Sequence, residues 1–130
     1  MTDEQWRLFL FTCSQVLGAG QPQAWRSNSW CAWTTFESLV TSLHYWAAGI
    51  PAERDLGATG TTDGGAWGQP FSYKSLAHVI VPREFYWERQ SGEGFEHGTR
   101  RQDLGRLSAE LKRQQVPHRA TELVVEVKLF

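Results

Sequence analysis

Leu123-Val124-Val125-Glu126-Val127-Lys128-Leu129 sets Leu123, Val125, Val127 and Leu129 on one face and Glu126 and Lys128 on the other. A period of two marks a strand with one side against a core, so all four apolar residues of that face are expected to be buried. A strand needs a partner, and the segment Leu76 to Glu88, with Val79, Ile80, Val81, Phe85, Tyr86 and Trp87, supplies the β-branched and aromatic residues for one. Pro82 interrupts it and cannot donate to a ladder, which leaves an edge strand, a bulged strand or two short pieces. Ser91-Gly92-Glu93-Gly94 reads as a turn, with Phe95 to Thr99 returning as a hairpin partner. Between the hairpin and the last strand, Leu104, Leu107 and Leu111 recur at helical spacing. They predict a charged amphipathic helix over about residues 100–115, closed by Pro117. The second half therefore reads β-β-α-β, the terminal strand pairing with the 77–90 segment.

The first half reads differently. Thr2-Asp3-Glu4-Gln5 is a capping box, and Trp6, Phe9, Leu10, Cys13, Val16 and Leu17 follow at helical spacing until Gly18 and Gly20. Residues 18–33 hold Gly, Pro, Ser and Asn with Trp25, Trp30 and Trp33, and predict a loop pinned by its rings. Thr34-Thr35-Phe36-Glu37 opens a second predicted helix with Phe36, Leu39, Val40, Leu43 and Trp46 or Ala47 as its apolar side, stopped by Gly49-Ile50-Pro51. Residues 52–70, with glycines at 57, 60, 64, 65 and 68, predict a long loop around Trp67.

The expected fold is α+β: two N-terminal helices, then the β-β-α-β unit as a small mixed or antiparallel sheet covered by helices, in a single globular domain spanning 1–130. With 41% hydrophobic and 21% charged residues the chain has the make-up of an ordinary globular protein. A net charge of −1 argues against a general nucleic-acid binder. The acidic start and the lack of a long apolar run predict neither signal peptide nor membrane span, hence a cytoplasmic protein. Cys13 and Cys31 are expected as buried free thiols.

Motifs for chemistry are sparse. Gly57 to Gly65 lacks the Gly-Lys-Ser/Thr ending of a phosphate loop and carries Asp63. His44, His78, His97 and His118 have no ligand spacing to one another or to a cysteine, so neither metal nor cofactor is expected. Glu84, Glu88, Glu93 and Glu96 are interleaved with Arg83, Arg89, Arg100 and Arg101, which favours surface ion pairs over paired catalytic carboxylates.

What stands out is seven tryptophans in 130 residues. Large amphipathic rings are favoured where a protein grips another. Trp67, between Gly65-Ala66 and Gly68, reads as a contact residue, with a core plug as the alternative. The nominated partner-binding set is Asp55, Asp63, Trp67 and Tyr73 from the 52–73 loop, with Glu84, Trp87, Glu88, Glu93 and Glu96 from the hairpin. In size, tryptophan density, acidic loop and lack of a catalytic motif the chain resembles, as a class, the small bacterial immunity proteins that neutralise polymorphic toxins. The resemblance implies a module that binds and occludes a toxin domain; no site residue is carried over from any family. Two other readings stand beside it. One is a small enzyme using Glu and His groups near 84–97, and the other a nucleic-acid module using the basic helix 100–113 with Arg100, Arg101, Arg106 and Arg113.

Overall fold

The computed structural model describes residues 1–62 and 64–130. The elements run α1 (Asp3–Leu17), β1 (Cys31–Thr35), α2 (Phe36–Thr41), β2 (Trp46–Ala48), β3 (Gly60–Thr61), β4 (Phe71–Ser72), β5 (Leu76–Pro82), β6 (Glu84–Ser91), β7 (Gly94–Arg101), α3 (Leu104–Arg113), β8 (Arg119–Ala120) and β9 (Val124–Lys128). The fold is mixed α and β with antiparallel pairings. A five-stranded sheet has the order β2-β1-β5-β9-β8, and two ribbons, β3-β4 and β6-β7, stand apart from it.

Register explains the core. Trp33 lies opposite Val79, which lies opposite Val127, and Val81 lies opposite Val125, so these residues share one face of the sheet. Against that face α1 contributes Trp6, Phe9, Leu10 and Cys13, and α3 contributes Leu104, Leu107 and Leu111. The other face carries Ala32 and Thr34, His78 and Ile80, and Glu126 and Lys128.

The terminal strand pairs with β5, the first part of the expected partner segment, and the chain restarts beyond Pro82 as β6. Its apolar face is shorter than the alternation implied. Val125 and Val127 are buried, but Leu123, 65% exposed, and Leu129 are exposed, although Leu123 still accepts the Arg83 amide and Leu129 donates to the Ala77 carbonyl. Glu126, expected in solvent, is buried. The hairpin at Gly92-Glu93 forms as read, yet it joins no strand of the main sheet. The amphipathic helix starts at Leu104, capped by Asp103, so Arg100 and Arg101 belong to β7.

The second helix is the larger correction. Cys31–Thr35, read as loop and helix cap, is a fully buried central strand, and the helix after it has six residues. Thr35, one residue later than the predicted cap, accepts the Ser38 amide. Val40 is 83% exposed and Leu43 is exposed too, so the supposed apolar stripe faces water. The helix stops because the chain gains more by returning. The Thr34 hydroxyl donates to the His44 carbonyl at 2.7 Å, Leu43 takes φ 28°, and Trp46 then pairs with Trp33 across the sheet. Gly49 is not a helix cap either. It crosses Gly20 so closely that a Cβ on Gly20 would sit 2.3 Å from the Gly49 Cα.

Candidate protein-contact surface

The 52–73 loop does not present the side chains nominated from it. Trp67 is 6% exposed and stacks on Trp33 with ring centroids 4.0 Å apart and planes 10° from parallel. Phe71 meets Trp33, Trp46 and Trp67 edge-on at 5.5, 5.2 and 5.8 Å, closing a four-ring cluster beneath the loop. Tyr73 is fully buried, its hydroxyl donating to the Gly57 carbonyl at 2.8 Å. Asp55 is half-buried, with its carbonyl accepting the Thr62 amide at 2.7 Å. Asp63 lies outside the described residues. The expectation of an outward-facing loop is therefore corrected at Trp67 and Tyr73, because ring stacking and apolar burial outweigh what an exposed ring would gain.

The hairpin behaves the other way. β6 and β7 pair from Glu84↔Arg101 to Ser91↔Gly94 and form an arm whose β7 residues are almost all exposed. Strand parity sorts its side chains into two faces. On one face Trp87 lies half-buried, with the Arg100 guanidinium 3.9 Å above its ring and Arg89 at 5.7 Å. Arg100 also donates to Asn28 at 2.6 Å, and Arg89 donates to Glu96 at 2.6 Å. That face is occupied by its own cation–π and ion-pair contacts.

The other face holds Glu84, Tyr86, Glu88, Phe95 and His97. Tyr86 is 51% exposed and Phe95 56%, with His97 stacked on Phe95 at 5.4 Å. The Tyr86 hydroxyl donates to Glu88 at 2.5 Å, and that bond raises the phenol pKa. Glu84 stands 3.7 Å from Arg101, both in solvent, and Glu93 sits exposed at the turn. At the base of the arm Tyr86 also lines a cleft of about 440 Å³ with Trp25, Trp30, Pro82 and Phe85. The nominated set omits Tyr86, Phe95, His97 and Trp25. The signal for the first three was available, since Tyr86-x-Glu88 and Phe95-x-His97 share a strand face once the turn is fixed at Gly92-Glu93.

The residues named for the other readings are brought together only in pairs. Glu88 and His97 are opposite one another on the arm, on a solvent-facing surface. Arg106 and Arg113 lie on α3, and Arg113 is paired with Glu110. A polar chain with no local sequence signature lies elsewhere, centred on buried His78 and Glu126. His78 Nε2 hydrogen-bonds the Glu126 carboxylate at 3.0 Å, its Nδ1 hydrogen-bonds the Tyr45 hydroxyl at 2.7 Å, and Arg119 donates to Glu126 at 3.4 Å. Burial, and then the charge of Glu126, push the Tyr45 phenol up. This chain ties the bend before β2 to β5 and β9. Cys13 and Cys31 are free and buried, and burial pushes the Cys31 thiol up to about 12. A protonated, enclosed thiol is a poor nucleophile.

Among the described residues no group of three His, Cys, Asp or Glu side chains is placed to hold a metal ion, and no helix is long and apolar enough to cross a membrane. Comparison with known proteins finds no matching family model, no matching curated protein and no matching solved structure.

Proposed function

We propose that this chain is a protein-binding module, of the immunity type its class resemblance implies, and that it grips its partner with the outer face of the β6–β7 arm. The observation that carries this reading is Tyr86. Its ring belongs both to the aromatic cleft with Trp25, Trp30 and Phe85 and to the exposed row with His97 and Phe95. Aromatic rings in contiguous exposed clusters outside a core are costly to leave in water and are the usual anchors of an interface. Glu84 and Glu88, against Arg101 on the same face, leave it net acidic, which favours a basic partner surface and speeds its approach more than it holds it. In this reading the toxin domain is the partner, and occlusion by the arm neutralises it.

The test is an equimolar mixture with the product of the neighbouring gene, run by size exclusion and titrated calorimetrically. A stable complex is expected, and Tyr86→Ala and Phe95→Ala should each weaken it by about 2 kcal/mol with unchanged melting temperature. Absence of a complex, or a complex indifferent to both substitutions, sinks the reading.

A further inference from the structure

The outer edge of β7 is unpaired, and its sequence is complementary to itself. The two-residue turn at Gly92-Glu93 makes Ser91↔Gly94 a hydrogen-bonded pair, and the bond from the Gln102 amide to the Arg83 carbonyl at 2.7 Å has the same phase. The even residues of β7 therefore spend their backbone groups on β6. Phe95, His97, Thr99 and Arg101 point their amides and carbonyls outward, and among the described residues no third strand meets them in this two-stranded ribbon. An open edge of that kind is a template for another strand unless something blocks it. β7 carries no proline, and the space around Gly98 is open, with nothing within 4 Å of where a Cβ would be.

We infer that β7 pairs antiparallel with β7 of a second copy of this chain, centred on Gly98. Charge fixes both the occupant and the register. With Gly98 opposite Gly98, the outward-pointing residues of the two strands meet as His97 with Thr99 and Phe95 with Arg101. Glu96, which keeps its Arg89 partner, then falls directly opposite Arg100 of the second copy, itself held on Trp87 and Asn28, twice by symmetry. Sliding one strand by two residues sets each of these charges against an uncharged residue, such as Gly98 or Gly94. Sliding it by four opposes Glu96 to Glu96 or Arg100 to Arg100, which like charges penalise. Charged edge residues normally deter strand addition; here they admit this one pairing. The symmetric contact is isologous, so it closes at two copies and does not propagate. Directly opposed residues share a sheet face. The Phe95 and His97 side chains of both copies then lie on one surface, and the dimer doubles the proposed contact face. The inference does not depend on the partner's identity.

Sedimentation equilibrium on the purified chain over a wide concentration series tests it. A reversible dimer of twice the 14.8 kDa chain mass is expected. Glu96→Arg and Arg100→Glu should each weaken dimerisation by roughly tenfold, and the double variant should recover it. His97→Pro removes an outward amide while leaving the bonds to β6 intact, so it should give a folded monomer. A monomer at every concentration overturns the inference, and so does a dimer that ignores all of these changes. If His97→Pro fails to fold, the charge reversals decide alone. Loss of dimerisation in Glu96→Arg or Arg100→Glu, both off the proposed contact face, with partner binding retained would separate this inference from the proposed function.

Discussion

At the scale of single residues, Trp67 owes its buried place to the glycines beside it. Gly65, Ala66 and Gly68 around it resemble an exposed loop, but these glycines allow the loop to fold tightly. A Cβ on Gly65 would lie 2.6 Å from the Asp55 carboxyl carbon, and Gly68 adopts φ 71°. Glycine was read as freedom where it provides clearance, and the ring it frees turns inward onto Trp33. Trp67→Ala should therefore leave a cavity beside Trp33, Trp46 and Phe71 and cost about 3–5 kcal/mol in urea unfolding. Any effect on partner binding should vanish once the variant is held folded. A loss below about 1 kcal/mol would return Trp67 to the surface. The Tyr45–His78–Glu126 chain could not be read at all, because its members are 33 and 48 residues apart and only strand register unites them.

At the scale of elements, periodicity was reliable where tertiary contacts agreed with it. α1, with the capping box from Thr2 to Gln5, and the β6–β7 hairpin follow from local chemistry alone. α2 does not, because a helical repeat through Leu39, Val40 and Leu43 competes with the burial of Trp46 beside Trp33, and the sheet contact wins. β9 is the intermediate case. Alternation found the strand and its inner face but not how far the core covers it, since Val125 and Val127 join the buried cluster while Leu123 and Leu129 stand in water. Two substitutions on that face should therefore diverge. Val127→Asp places an unpaired charge between Val79 and the α3 leucines and should cost several kcal/mol, roughly 3–5. Leu123→Asp changes an exposed side chain and should stay within about 0.5 kcal/mol. Equal losses in denaturant melts would show that the alternating face is buried along its whole length.

At the scale of the whole molecule, the candidate site was half legible for a physical reason. The hairpin and its acids were read correctly as an exposed segment, because hairpins are local. The partition of the aromatics between core and surface was not, because it depends on which rings the sheet gathers. Among the described residues the buried hydrophobics form one cluster, and the arm adds little to it: of its side chains only Phe85 is buried. An element with few buried apolar contacts should open alone, below the free energy of global unfolding. Native-state hydrogen exchange at low protein concentration, where any dimer is dissociated, should show this. The amides of Val79 and Val81, in the centre of the sheet, should exchange only by global unfolding, at about 5–15 kcal/mol. Those of Trp87, Arg89, Glu96 and Gly98, which bond within the arm, should exchange several kcal/mol lower and with little denaturant dependence, since opening the ribbon exposes little surface. Raising the concentration should then add protection at His97 and Thr99, whose amides point outward and bond only across copies. Arm amides that share the free energy and denaturant slope of Val79 would place the arm inside the cooperative core, and its aromatic row would then be held for stability and not for a partner.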